Sequence, residues 1–211
     1  MHTETLTPKT KKVLQNLQKE KWIKDYYLAG GTALALQYGH RQSIDLDFFI
    51  EKNINTTLLI KKISNIGKFK LLQEAENTVE GILNGVKISF MTYPYALLKK
   101  KIVFPPNLYI ASNLDIALMK LSAISSRNTK KDFIDLFCYL TKEKRDLPYL
   151  FSKMKKKYAQ VGWDGLHACK ALVYFVEADK EPMPRMIEKN DWDAVKKYFI
   201  QEIKKMSKSY F

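Results

Sequence analysis

The stretch from Tyr27 to Ile50, YLAGGTALALQYGHRQSIDLDFFI, constrains this chain more than any other, because its hydrophobic period changes partway along. An apolar run from Tyr26 to Ala29 stops at Gly30-Gly31-Thr32 and passes into a helix-like segment. A strand that feeds a helix through glycines leaves the first helical N–H groups without internal partners and places the positive end of the helix dipole at the turn. Such a turn suits a phosphate group.

After the helix the apolar period becomes two, as in a strand with one buried face. The alternating residues are Ile44, Leu46 and Phe48 against Ser43, Asp45 and Asp47. The Asp45 and Asp47 side chains then point to the same face, with backbones roughly 6.5 Å apart. Two carboxylates so placed can share or bridge divalent ions, and oxygen ligands suit magnesium. A Gly-Gly turn alone usually binds no phosphate, and an Asp-x-Asp pair alone usually binds no metal ion. The prediction therefore rests on the order of the two motifs and on their closeness in the sequence.

Seven residues form one pattern: Gly30, Gly31, Thr32, Arg41, Ser43, Asp45 and Asp47. This pattern resembles the signature of the polymerase-beta-type nucleotidyltransferase superfamily. The form GGTALAL…GHRQSIDLDFF is most similar to the AbiEii/AbiGii-type nucleotidyltransferases, many of which are toxins of toxin-antitoxin or abortive-infection systems. The resemblance implies nucleotidyl transfer, with the first five residues binding the nucleoside triphosphate and the two aspartates holding Mg²⁺ or Mn²⁺.

A β-hairpin is predicted from Thr78–Leu83 and Val86–Met91, because Asn84-Gly85 between them is a strong hairpin turn. In the superfamily that the chain resembles, a third carboxylate usually lies on a strand of this kind, and here Ser89 stands at that position. Three explanations are open. The site has two carboxylates, a substitute such as Glu80 reaches across the hairpin, or the chemistry is weakened.

The stretch from Leu114 to Leu140 is the second informative part of the chain. Its first helix carries an apolar stripe with Lys120 beside it. A second helix begins with Thr129 as N-cap and Asp132 three residues later, a capping-box arrangement that would give Asp132 a structural role. Asp135 lies between two apolar residues, where a carboxylate is costly unless it has a cation or hydrogen-bond partner.

The pattern Lys120-Leu121-x-Ala123…Arg127…Lys131-Asp132-x-x-Asp135-Leu136 also resembles the second conserved block of the AbiEii-type enzymes. The resemblance implies that Lys120 contacts the nucleotide phosphates and that Arg127 belongs to the nucleotide-binding set. It implies further that Asp132 or Asp135 completes the catalytic site by orienting a lysine or an arginine.

Lys and Arg outnumber Asp and Glu 36 to 22, which gives a formal net charge of +14. Such a charge favours a polyanionic partner, nucleic acid first, although a lysine-rich proteome would give the same number without that meaning. Cys138 and Cys169 have no metal-type spacing, which indicates a reducing compartment. The sequence shows neither a run of eighteen apolar residues nor a signal-peptide core, so we expect a cytoplasmic protein with no membrane partner.

We therefore expect an α/β fold: a small mixed, twisted sheet of the polymerase-beta nucleotidyltransferase type with flanking helices over residues 1–105. A C-terminal helical domain over residues 106–211 would follow, with the active site in the cleft between them. The expected acceptor is RNA, transfer RNA in particular, because the toxin-like relatives act on it, and an antitoxin protein is a further expected partner. A protein or small-molecule acceptor and a nucleotide-binding module without catalysis are the open alternatives. We also expect Lys155, Lys156 and Lys157 to form an RNA-facing patch.

Overall fold

The computed structural model describes the backbone of residues 1–210 and the side chains of residues 1–207. The chain divides into two compact units, Met1–Ser112 and a second unit from Asn113 onward. The strands of the described backbone all belong to the first unit, and the second unit is built from helices. The predicted fold class, a mixed sheet with flanking helices followed by helices, is confirmed.

The first unit contains one mixed sheet of seven strands in the order β3-β4-β5-β2-β1-β7-β6. The strands are β1 (Tyr27–Ala29), β2 (Leu46–Ile50), β3 (Phe69–Ala75), β4 (Thr78–Leu83), β5 (Val86–Thr92), β6 (Ile102–Phe104) and β7 (Leu108–Ile110). The central strand β2 pairs antiparallel with β1 and parallel with β5. The predicted hairpin is β4 and β5, and its turn residues Asn84 and Gly85 both have positive φ, as a tight two-residue turn requires.

The helices of the first unit are α1 (Pro8–Lys19), α2 (Gly30–Tyr38) and α3 (Thr56–Ser64). Helix α1 starts with proline, and the Thr7 hydroxyl accepts the Thr10 N–H, which caps it. Helix α2 is buried along most of its length, as its run of alanines and leucines indicates. In the core beneath, the rings of Phe48 and Phe90 stack at 4.7 Å.

Strand β2 is shorter than the alternating pattern predicts, because it begins at Leu46 and leaves Ile44 57% exposed. The residues before it are held by the start of the chain instead of the sheet. The Ser43 N–H donates to the Thr5 carbonyl at 3.1 Å, and Ser43 forms an isolated parallel bridge with Leu6. The segment that leads to the aspartates is therefore fixed by residues far away in sequence.

The prolines and the lysine run between Tyr93 and Pro106 predict a linker, but β6 lies within this region and β7 follows it directly. Strand β7 pairs in parallel with β1, and β6 pairs antiparallel with β7. The Gln18 side chain of α1 donates to the carbonyls of Phe104 and Pro105. These bonds fix the turn that joins β6 to β7. The sheet unit accordingly continues to Ser112, past the expected domain boundary at residue 105. Strands of three residues are too short to show a period.

The second unit consists of α4 (Asn113–Arg127), α5 (Lys130–Lys142), α6 (Leu147–Lys157), α7 (Gly165–Leu172), α8 (Val176–Lys180) and α9 (Trp192–Tyr210). Its core is aromatic: the ring of Phe133 lies 5.2 to 5.8 Å from those of Phe175, Trp192 and Phe199. The apolar pattern of residues 165–177 predicts one helix, but the structure has two, separated by a break at residues 173–175. Across the described part of the chain, every helix is too short or too polar to cross a bilayer.

Candidate active site

The end of β1 and the start of α2 place a glycine against a carboxylate. Ala29 is paired with Asp47 across β1 and β2, and Gly30 follows at once as the first residue of α2. Gly30 has φ +68°, in the left-handed region that side chains rarely adopt. A Cβ at Gly30 would lie 2.6 Å from Asp47 Oδ2. Gly30 therefore allows both the sharp entry into the helix and the close approach of the carboxylate.

The second oxygen of Asp47 is held by a serine. Ser89 lies opposite Asp47 on the parallel strand β5, and its Oγ donates to Asp47 Oδ1 at 2.5 Å. Ser89 is 2% exposed, so water competes poorly for this bond. The position where the resembled superfamily usually carries a third carboxylate is occupied here by a donor that orients Asp47.

Glu80 does not take the place of the third carboxylate. It lies opposite Ser89 on β4, two strands from Asp47, which puts the two backbones roughly 10 Å apart. Its Oε2 binds Lys87 Nζ at 3.1 Å. Over the described residues, no three His, Cys, Asp or Glu side chains gather where they could hold a metal ion. Among the described residues, Asp45, just before β2, is therefore the remaining candidate to share a metal ion with Asp47.

Lys87 is a residue of this face that the sequence analysis missed. The hydrogen bond to Glu80 is the main cause that raises the pKa of Lys87, and the negative charges of Glu80, Asp45 and Asp47 raise it further. Its side chain is 49% exposed. Lys87 thus brings a positive charge to the aspartate face. The period of two on β5 could have found it, because Lys87 and Ser89 share one face.

Asp45 lies just before β2 and is partly exposed. The Thr32 hydroxyl donates to the Asp45 backbone carbonyl and lies 2.8 Å from Ser43 Oγ. Thr32 is 1% exposed and Ser43 is 9% exposed. These two side chains tie the first turn of α2 to the segment that carries Asp45, which gives both residues a structural role in addition to the predicted one.

Arg41 is 3% exposed and donates from Nη1 to the Gln42 carbonyl at 3.0 Å. The two glycines of the turn, Gly30 and Gly31, are partly exposed. The structure thus brings together the first seven predicted site residues in one unit, with Arg41 inside and the glycines at the surface. That this set binds a nucleoside triphosphate stays a prediction.

The second predicted block is also brought together, in the helical unit. Lys120 of α4 places Nζ 2.7 Å from Asp132 Oδ1 and 2.7 Å from Asp135 Oδ2, both on α5. All three side chains are at most 6% exposed. A buried carboxylate needs a cation nearby, so the three residues stabilise the α4–α5 contact as a group. The predicted contact between Lys120 and phosphate stays a prediction.

Arg127 extends this cluster to the surface. Its Nε and Nη2 donate to the two oxygens of Asp132 at 2.8 and 3.0 Å, and its side chain is 62% exposed. Burial by itself would raise the pKa of Asp132, but the charges and hydrogen bonds of Lys120 and Arg127 outweigh it and lower the pKa to about 2. Asp132 therefore orients an exposed guanidinium.

The capping box predicted for Thr129 and Asp132 is wrong. Thr129 is the N-cap residue of α5, but its side chain makes no capping hydrogen bond. Its hydroxyl donates instead to Asp132 Oδ2 at 2.8 Å. The carboxylate of the ion cluster competes successfully for this hydroxyl, because a charge-assisted bond is stronger than a neutral one.

The expected patch of three lysines on α6 is also wrong at one position. Lys155 and Lys156 are exposed, but Lys157 is buried and places Nζ 2.9 Å from Asp115 Oδ1. Both of these side chains are 0% exposed. Lys157 falls on the inner face of α6, on the helical spacing that also buries Leu150 and Met154. It is a core residue that cannot face RNA.

Comparison with known proteins identifies the family. The model of the nucleotidyl transferase AbiEii toxin family, of type IV toxin-antitoxin systems, matches residues 12–110. An uncharacterised protein of Aquifex aeolicus strain VF5 is 37% identical over 187 residues, which cover 85% of this chain and 87% of that protein. The chain is a nucleotidyltransferase that belongs to the AbiEii toxin family.

Solved structures agree in fold. A candidate nucleotidyltransferase of H. pylori superposes with a TM-score of 0.50 at 19% identity and covers 93% of this chain and 96% of that one. MenT4, a nucleotidyltransferase toxin of Mycobacterium tuberculosis, superposes with a TM-score of 0.56 at 13% identity and covers 96% and 87% of the two chains. At such low identity these matches establish the fold alone.

Proposed function

We propose that this protein transfers a nucleoside monophosphate from a nucleoside triphosphate to RNA, with Mg²⁺ or Mn²⁺ held by Asp45 and Asp47. The observation that carries the proposal is the position of Asp47. Its Oδ2 occupies the space that a side chain at Gly30 would fill, directly at the first turn of α2. A carboxylate and a helix N-terminus so close together suit a metal ion and the phosphates that it binds.

The residues present fit a divalent metal of the magnesium type. Such ions take oxygen ligands and are usually bound by one or two carboxylates together with substrate phosphates and water. The Ser89 hydroxyl holds Asp47 as an outer-shell partner does in other metal sites. When bound, the ion would supply charge neutralisation at the triphosphate and a lowered pKa at the acceptor hydroxyl. Two carboxylates suffice if the triphosphate provides further oxygens.

The chain's own groups have defined roles in this proposal. The backbone N–H groups at Gly30 and Gly31 donate to the triphosphate, as the start of a helix allows. Lys87 offsets the negative charge of the aspartate face. In the helical unit, Asp132 holds the Arg127 guanidinium ready for a phosphate. Lys120 and Asp135 fix Asp132 from the buried side, which makes them positioning residues.

RNA is the proposed acceptor, transfer RNA in particular, because the formal charge of +14 favours a polyanion. Membership of a toxin family supports a role as the toxin of a toxin-antitoxin or abortive-infection system, with an antitoxin protein as partner. MenT4, which shares the fold, is itself named as a nucleotidyltransferase toxin.

The test is labelling of RNA. The purified protein is incubated with total RNA, Mg²⁺ and each α-³²P nucleoside triphosphate in turn, and the products are separated on a denaturing gel. We expect one small RNA band with one nucleotide preferred. Asp45→Asn and Asp47→Asn should each abolish the label. Asp25→Asn, which changes an exposed aspartate outside the site, is the matched control and should leave it unchanged.

Each other outcome has a distinct meaning. Label on a protein band would assign the acceptor to protein, and label on a small molecule would assign it there. Label that survives in both aspartate variants would refute the metal site. If no acceptor is labelled while the triphosphate still binds, the protein is a binding module, an outcome that Ser89 in place of the third carboxylate would explain.

A further inference from the structure

A cavity of about 570 Å³ lies in the helical unit, where the end of α4 meets α7 and α8. This volume is in the range of small-ligand sites. Its polar lining consists of Arg127, Asn128, His167, Lys170, Tyr174 and Glu177. Except for Arg127, these residues take no part in the nucleotidyl-transfer site described above.

Asn128 presents an unpartnered acceptor. Its Nδ2 donates to the Ala171 carbonyl at 3.1 Å, and this bond fixes which side of the amide is oxygen. The Oδ1 atom is buried and finds no hydrogen-bond partner among the described residues, and Asn128 as a whole is 8% exposed. This oxygen has almost no accessible surface, so Asn128 shapes the cavity wall through its bond to Ala171 and is not a contact point for a ligand.

The cavity also offers positive charge. Arg127 and Lys170 contribute two cations, against the single carboxylate of Glu177. The His167 ring places Nε2 2.8 Å from the Ser125 carbonyl, so this nitrogen carries the proton and donates. Because Asp132 already offsets the charge of Arg127, the lining suits a single phosphodiester, with one negative charge, better than a triphosphate. A triphosphate carries about four negative charges at neutral pH and uses a metal ion to offset them.

Tyr174 adds an aromatic surface. It lies in the break between α7 and α8 and is 49% exposed. Its hydroxyl donates to Glu177 Oε1 at 3.2 Å, which holds the ring in place. Exposed aromatic rings next to cations are the usual means by which proteins bind unpaired bases.

We propose that this cavity binds one unpaired nucleotide of the acceptor RNA. The base stacks on Tyr174, while Arg127 and Lys170 bind the adjacent phosphate. The proposal rests on the proposed function for the identity of the acceptor, but binding can be measured without transfer. It assigns a recognition role to Lys170 and Tyr174, which the AbiEii pattern in the sequence does not include.

The experiment measures binding of a 5′-fluorescein 12-nucleotide single-stranded RNA by fluorescence anisotropy, without nucleoside triphosphate and with EDTA. Both the wild-type protein and Asp47→Asn are used, so that a failed transfer reaction does not affect the result. Lys170→Glu should weaken binding at least tenfold and lower the slope of log K against log salt concentration by about one. Lys204→Glu, the same charge change on the exposed face of α9, is the control and should change binding less than threefold.

One further pair of variants tests the aromatic contact. Tyr174→Ala should weaken binding roughly 5- to 100-fold by loss of stacking, while Tyr174→Phe keeps the ring and should stay within threefold. Circular dichroism and thermal melts confirm that each variant is folded.

Equal effects of Lys170→Glu and Lys204→Glu would overturn the proposal, since only general charge would then matter. Wild-type affinity in Tyr174→Ala would overturn it as well. A competition experiment adds ATP or GTP to the RNA complex. If either nucleotide displaces the RNA at a concentration below the RNA dissociation constant, the cavity binds free nucleotide instead. Transfer to RNA that is unaffected in all cavity variants would leave the proposed function standing and reject this inference.

Discussion

Ser89 Oγ lies 2.5 Å from Asp47 Oδ1, across the parallel pairing of β5 with β2. The hydroxyl is short, buried and neutral, so it orients the aspartate without adding charge. A carboxylate at the same place would add a metal ligand and also a second negative charge next to Asp47. In the proposed metal site, the serine therefore supplies no metal ligand but fixes the orientation of Asp47.

The exchange can be tested by substitution at this position. Ser89→Ala removes the donor, and we expect a 10- to 100-fold loss of transfer activity, as for other outer-shell partners of metal ligands. Ser89→Asp should lower Tm without metal, because two carboxylates then repel, and Mg²⁺ should raise its Tm more than that of the wild type. An unchanged Tm and activity in both variants would show that the bond is incidental.

Gly30→Ala should lower the free energy of unfolding more than Gly162→Ala does, although the two glycines have the same backbone conformation. Gly30 and Gly162 have φ of +68° and +69°, but a Cβ at Gly162 meets nothing within 4 Å. The backbone strain of about 1 kcal/mol is thus common to both, and the clash with Asp47 adds about 1 to 3 kcal/mol at Gly30. Urea unfolding of both variants measures the difference. Equal destabilisation would mean that Asp47 moves aside freely.

The free energy of unfolding should fall at low pH as Asp132 becomes protonated. Its pKa is about 2 in the folded state, below the ordinary value of 3.8, so folding favours the ionised form. This contribution, about 2 kcal/mol, is complete above pH 4 and is lost as the pH falls toward 2. Urea unfolding between pH 2 and 5 should therefore show a steeper rise of stability with pH in the wild type than in Asp132→Asn. If the stability of both proteins rose equally with pH, the lowered pKa of Asp132 would be contradicted.

Lys157 should behave as a core residue and its neighbour Lys156 as a surface residue. Lys157→Met leaves the buried Asp115 carboxylate without its 2.9 Å partner and should cost about 3 to 5 kcal/mol. Lys156→Met should stay within about 0.5 kcal/mol. Adding Asp115→Leu to Lys157→Met should recover part of the loss. Thermal and urea unfolding measure all four proteins, and a Lys157→Met variant as stable as Lys156→Met would reject the buried pair.

The sequence predicts the parts of the fold that depend on local patterns. The helical spacing of Val13, Leu14 and Leu17 predicts a helix over Pro8–Lys19, and α1 has these bounds. The β4–β5 hairpin follows from Asn84-Gly85, since the turn type is set by two residues. The seven-residue pattern around Asp45 and Asp47 was predicted as a group because its order along the chain is itself distinctive.

The parts that sequence could not predict depend on partners distant along the chain. Lys157 was predicted to face RNA together with Lys155 and Lys156, whereas the buried Asp115 that pairs with it lies 42 residues earlier. Thr129 was predicted as a side-chain cap, but a carboxylate held by Lys120 and Arg127 binds its hydroxyl. In each case an ion pair between helices decided the outcome over a local preference.

The parallel pairing of β2 with β5 also bears on how the protein folds. The β3–β4–β5 meander closes through short turns, so it can form early, whereas Asp47 and Ser89 are 42 residues apart and meet only when the crossover closes. The orienting bond to Asp47 thus forms after the hairpin that carries Ser89. A partly folded chain would contain the hairpin, but its Asp47 would lack the bond from Ser89. During synthesis the protein would therefore remain inactive until β2 had paired with β5.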